Sequence, residues 1–206
     1  MEQSQQMIKV CMLGASGVGK SSILKRFVND EFEEREPTTL GSAFQEKVVN
    51  YKGASYRFQI WDTAGQEKFA PLAHIYYRDA EIAFLVYDIT NKDSFGTLRE
   101  WYAELKEKGP KGIMICVLGN KLDLEDQQEV ARSVAREYAK GIKALFTLTS
   151  AKENSGITEL FDRICGELQK RKNDMLSSQM MKTSMSLSMK KKEEKEKEND
   201  SGTCRC

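Results

Sequence analysis

Residues 14–21, Gly14-Ala15-Ser16-Gly17-Val18-Gly19-Lys20-Ser21, decide how the rest of the chain is read. They match the spacing GxxxxGK[ST] and follow the apolar β-type run Ile8 to Leu13 without a break. Glycine at 14, 17 and 19 lets the backbone curl so that successive N–H groups point inward at phosphate oxygens. A helix starting near Lys20 adds the positive end of its dipole. Lys20 is then placed for β and γ phosphates and Ser21 for Mg²⁺, while Ala15, Ser16, Val18 and Ser22 complete the nucleotide-binding stretch. The loop alone implies a nucleoside triphosphate and leaves ATPase, kinase and GTPase open.

Outward from this loop, apolar runs recur at Val48 to Tyr51, Tyr56 to Trp61, Ile82 to Tyr87, Ile113 to Leu118 and Leu145 to Leu148, six strands with the first. Stretches of helical period separate most of them: Ser21 to Phe27, Phe69 to Tyr77, Ser94 to Lys106, Glu129 to Ala139 and Ile157 to Leu168. Alternating strand and helix predicts an α/β fold with a mainly parallel sheet and helices on both faces. The one direct strand-to-strand passage, through YKGAS, predicts a hairpin and one antiparallel edge strand.

The 206 residues carry 32 Lys and Arg against 31 Asp and Glu, so no basic face argues for nucleic acid as a partner. The longest apolar runs are too short to span a bilayer. The start, MEQSQQ, lacks a basic and apolar leader, which predicts a reducing cytosolic setting without disulfides. Cys11, Cys116 and Cys165 read as small buried hydrophobes. After Lys172 the sequence turns to Met, Ser, Lys and Glu without an aromatic residue, and is expected to be a flexible tail. A helical stripe through Met181, Met185 and Met189 is the alternative.

Four more stretches lie just past expected strand ends or in adjoining loops: Thr39-Leu40-Gly41, Asp62-Thr63-Ala64-Gly65-Gln66, Asn120-Lys121-Leu122-Asp123 and Ser150-Ala151-Lys152. An open α/β sheet binds ligands there. In order and position they resemble the Ras superfamily of small GTPases, whose P-loop NTPase fold is a small G domain. By that resemblance Asp123 accepts from guanine N1 and the exocyclic amine, and Ala151, within Ser150 to Lys152, offers its N–H to O6. Asn120 ties loops together, while Lys121 and Phe32 cover the two faces of the base. Ser21, Thr39 and Asp62 hold Mg²⁺, Gly65 meets the γ-phosphate, and Gln66 orients the attacking water. His74, the sole histidine, is given no role.

Within the superfamily, Gly41-Ser42-Ala43-Phe44, WDTAGQEKF from Trp61 and the run from Leu72 to Phe95 resemble Rab proteins, most of all the early-endosomal branch. That resemblance implies an effector surface of Leu40, Gly41, Phe44, Trp61 and Tyr76. It also implies an exchange factor, a GTPase-activating protein, a GDP-dissociation inhibitor or prenylation escort, and work in vesicle traffic on the cytoplasmic face of membranes, with a cytosolic pool. Asp79, where glycine is usual, and Leu40, where isoleucine is commoner, bear on partner identity. The pair Cys204 and Cys206 resembles Rab ends that carry two prenyl groups. A CaaX signal does not fit, because Thr203 stands four from the end. The expected organisation is a flexible N-terminus, 1–6; a monomeric G domain, 7–172; and a tail, 173–206. A nucleotide-dependent membrane scaffold with negligible hydrolysis is the alternative function.

Overall fold

Among the described residues six strands form: β1 (Gln6–Leu13), β2 (Ser42–Tyr51), β3 (Ala54–Thr63), β4 (Ile82–Asp88), β5 (Met114–Asn120) and β6 (Leu145–Leu148). The helices are α1 (Lys20–Asn29), α2 (Ala70–Tyr77), α3 (Lys92–Lys108), α4 (Arg132–Gly141) and α5 (Ile157–Asp200). The structure, a computed structural model, describes residues 5–39, 41–65 and 70–200, with backbone only at 70–73 and 182–200. The sheet order is β2-β3-β1-β4-β5-β6. Every neighbouring pair is parallel except β2 with β3. The alternation of strand and helix produces this, since a parallel pair needs a crossover and only β2 to β3 lacks one.

All seven residues of β4, Ile82 to Asp88, are buried, as a central strand covered on both faces requires. The period of two in β1 sends alternate side chains to two cores. On one side Phe161 stacks on Phe27 at 3.4 Å between centroids and meets Phe58 and Phe84 edge-on at 5.1 and 5.7 Å. On the other, Cys11 and Leu13 join Leu85, Tyr87, Phe95, Leu98 and Trp101. Each such aromatic or aliphatic side chain contributes about 1.5–3 kcal/mol when fully buried. Cys11, Cys116 and Cys165 are all buried. Burial pushes the Cys11 thiol up to about 12, which keeps it from ionising.

The hairpin is longer than the apolar runs suggested. Its turn is Lys52-Gly53, both at positive φ (44° and 78°), so the two strands leave with matching twist. From there ten rungs pair Tyr51 with Ala54 through Ser42 with Thr63. Residues 42–47, SAFQEK, carry little strand pattern of their own and take their form from β3. A short 3₁₀ segment, Leu122–Gln127, follows β5.

The chain divides into two units, residues 1–162 and 163–206. The last helix differs from expectation: α5 runs to Asp200, through residues read as flexible chain. Met, Leu, Gln, Lys and Glu are all good helix formers and outnumber the serines between 173 and 200. Met175, Leu176, Met180 and Met181 are exposed on it. Among the described residues no helix is long and apolar enough to cross a membrane.

Candidate functional site

Strand order reverses around β1, which has β3 on one side and β4 on the other. Loops leaving the carboxyl ends of neighbouring strands diverge there and leave a crevice. A cleft of about 420 Å³ lies there. The sequence-predicted residues Ser16, Gly17, Gly19, Lys20, Ser21, Ser22, Phe32, Thr39, Gly65, Asn120, Lys121, Asp123, Ala151 and Lys152 line it. Glu33, Glu34, Glu36, Pro37, Thr38, Thr63 and Leu124 complete the wall.

The loop after β1 is shaped by close approaches. Gly14 has φ +148°, and a Cβ there would strike the Val86 carbonyl oxygen. A Cβ on Gly19 would strike Asn120 Nδ2. Lys20, 5 % exposed, donates from Nζ to the carbonyls of Gly14 and Ala15, both at 2.9 Å. Burial lowers its pKa to about 8, partly offset by the charge of Asp62. Val18 is buried behind the loop.

Three oxygens from separate segments meet beside Lys20. Ser21 Oγ donates to Asp62 Oδ2 at 2.5 Å and lies 2.9 Å from Thr39 Oγ1, which donates to the same Oδ2 at 3.3 Å. Burial raises the Asp62 pKa, opposed by the Ser21 bond and the Lys20 charge. Its other oxygen, Oδ1, is buried with no hydrogen-bond partner. Gly65 rests on the phosphate loop so closely that a Cβ would lie 2.5 Å from Ala15 and Ser16 backbone atoms.

The opposite end of the cleft is a bonded network. Asn120 donates from Nδ2 to Val18 O at 2.9 Å and accepts at Oδ1 from Thr149 Oγ1 at 3.1 Å. Ser150 Oγ donates to Asp123 Oδ1 at 2.5 Å and accepts from the Glu153 N–H at 3.0 Å. Lys121, in the left-handed region at φ 69°, is pinned by an ion pair of 2.6 Å to the buried Asp88. Thr149, Asp88 and the bonds of Arg26 to this end are features that sequence reasoning missed.

Of the other expected residues, Phe44, Trp61 and Tyr76 form a row of rings, 4.9 and 5.6 Å between centroids. Phe44 is 45 % exposed. The row does not line the cleft. Gly41 has φ +84°, and its carbonyl accepts from the Ala64 N–H at 2.8 Å. Leu40, Gln66, Cys204 and Cys206 lie outside the described residues.

The Ras family sequence model matches residues 9–170. Ras-related protein Rab-31 of Rattus norvegicus is 50% identical over 161 residues, covering 78% of this chain and 83% of the relative. Ras-related protein Rab-22A of Homo sapiens is 48% identical over 157 residues, covering 76% and 81%. Ras-related protein Rab-21 of Homo sapiens is 44% identical over 157 residues, covering 76% and 70%. With the fold, the cleft and these relatives in agreement, the chain belongs to the Rab branch of the Ras family, small GTPases that bind guanine nucleotide, hydrolyse GTP and act in membrane traffic.

Proposed function

We propose that the cleft holds GTP with its phosphates on residues 14–22 and its base between Phe32 and Lys121, and that hydrolysis there switches a Rab of endosomal membranes. The observation carrying this reading is the meeting of Ser21, Thr39 and Asp62 above Lys20, with Asp62 Oδ1 left unpartnered. A buried carboxylate oxygen without a donor costs free energy that a cation removes. Hydroxyl and carboxylate oxygens are the hard donors that suit Mg²⁺. Bound there by Ser21 and Thr39 with Asp62 behind them, Mg²⁺ would neutralise phosphate charge.

The chain's own groups do the rest. Backbone N–H groups of the loop cradle the phosphates, and Lys20 turns its ammonium from the Gly14 and Ala15 carbonyls to the β and γ oxygens. Gln66 orients a water that attacks the γ-phosphorus; the new P–O bond forms as the bond to the β–γ bridging oxygen breaks, leaving GDP and phosphate. Gly65 gives its N–H to the γ-phosphate, and only glycine fits so close to Ala15. Asp123 accepts two guanine hydrogen bonds and Ala151 donates one to O6, while Ser150 and Lys152 frame the base. Loss of the γ-phosphate frees Thr39 and Gly65 and changes the surface around Leu40, Gly41, Phe44, Trp61 and Tyr76, where effectors dock.

Residues 7–172 form the G domain of this proposal, and 173–206 link it to prenyl groups on Cys204 and Cys206. Two chains give the stable anchoring that one does not. An exchange factor, an activating protein and a GDP-dissociation inhibitor or escort regulate the cycle. Single-turnover phosphate release tests the enzyme: Gln66→Leu should slow it by at least tenfold with GTP affinity retained. Equal release by Gln66→Leu and wild type would remove Gln66 from the chemistry, and equal retention of labelled ATP and GTP would overturn the base assignment.

A further inference from the structure

Arg26 lies in α1 with its side chain 14% exposed. Its Nε donates to the Ala151 carbonyl at 2.8 Å, across 125 positions of sequence. One terminal nitrogen, Nη2, donates to the Lys152 carbonyl at 3.3 Å. The other, Nη1, donates to the Asp30 carbonyl at 2.7 Å and pairs with Asp30 Oδ1 at 3.1 Å. Asp30 Oδ1 also accepts from Asn154 Nδ2 at 2.9 Å, closing the loop back on itself. Ser150 and Ser155 exchange both backbone bonds at 3.0 Å and fix the other side of the turn. None of these bonds uses the Ala151 N–H.

Arg26 therefore spans the end of α1 and the 151–152 backbone with one planar group. The fork matters, because guanidinium presents several donors in fixed directions and an ammonium presents a single rotatable head. The Ala151 N–H shares its peptide with the Ser150 carbonyl, which the Ser155 N–H holds, and Arg26 fixes the carbonyls of the next two peptides, so Ala151 is clamped on both flanks and the direction of its N–H is set between them.

We propose that Arg26 is a positioning residue for guanine recognition: by holding the backbone after Ala151 it keeps the Ala151 N–H aimed at the base O6 while Asp123 reads N1 and the exocyclic amine on the same edge. This rests on the assignment of Asp123 and Ala151 to the base given above. Arg26 does not line the cleft and acts through the backbone it holds. The consequence is selective. Losing Arg26 weakens the O6 contact and leaves the N1 and amine contacts in place.

Full-length protein, wild type, Arg26→Met and Arg26→Lys, would be titrated with GDP, 6-thio-GDP and IDP. The thio analogue weakens the acceptor at position 6, and IDP lacks only the exocyclic amine. Arg26→Met should release GDP roughly tenfold faster, the size expected for losing hydrogen bonds from a charged group. Its preference for GDP over 6-thio-GDP should shrink by at least threefold, while its preference for GDP over IDP matches wild type. Arg26→Lys, without the fork, should behave as Arg26→Met, and it provides a second variant where Met lowers the yield of folded protein.

An equal loss for all three nucleotides would reduce Arg26 to general support of the loop and overturn the proposal. Wild-type discrimination in both variants would overturn it as well. If the wild type itself fails to prefer GDP over both analogues, the base assignment falls first and the role of Arg26 falls with it.

Discussion

The two ends of the cleft are built on opposite terms. At the base end, Asn120, Thr149, Ser150 and Asp123 bond to one another and to the phosphate loop at 2.5–3.1 Å. At the phosphate end, Asp62 Oδ1 and Glu36 Oε2 are buried with no hydrogen-bond partner, and Lys20 folds back on its own loop. A satisfied polar network holds its shape without a ligand. An unsatisfied one has its preferred arrangement only when something else supplies the missing groups. On the proposed placement of the nucleotide, recognition of the base is built in advance, and response to the phosphate is left for the ligand to complete.

The widest breach of that division would come at Asp123. Asp123→Asn should erase a guanine preference on the order of 10⁴, read by competing GDP against XDP, whose carbonyl replaces the exocyclic amine. An unchanged preference would mean that the base end is not the specificity end. Next in size is Asn120→Ala, which leaves the Val18 carbonyl and Thr149 hydroxyl without partners in a buried place. Nucleotide-free protein should lose about 2–3 kcal/mol, a fall of roughly 5–10 °C in Tm by calorimetry. Asp62→Ala should go the other way: Tm of the nucleotide-free protein should hold or rise slightly, because an imperfectly compensated buried carboxylate is removed. Mg²⁺ should at the same time lose its effect on GDP release. Equal destabilisation by the two variants would erase the contrast.

Legibility followed the same division only in part. The phosphate loop could be read because its geometry is local: eight consecutive residues contain the turn, the helix start and the lysine. The six strands and the hairpin were legible from apolar runs and from YKGAS. Residues 42–47 were not, because an edge strand built of SAFQEK takes its conformation from ten rungs with β3. Arg26 looks in sequence like any solvated helix arginine, and its partners at 151 and 152 become neighbours only once β6 is in place beside β5. Asp88 is similar: it ends a buried strand, and its pairing with Lys121 depends on β4 lying in register with β5. The helix from 173 to 200 was not legible, because a segment of Met, Ser, Lys and Glu without an aromatic residue to anchor it has the composition of a flexible tail as well as that of a helix.

The hairpin also sets how much the protein can say. Ser42 pairs with Thr63, and one residue further the Gly41 carbonyl takes the Ala64 N–H, so both loops that flank the phosphate end start from one shared rung. Two independent loops could take four combinations of open and closed. Two loops yoked at their roots favour moving together, and the rings of Phe44 and Trp61 stand on that yoke, 4.9 Å apart. On the proposed effector surface, a partner gripping those rings would read a single bit, and a half-switched protein would send no message of its own.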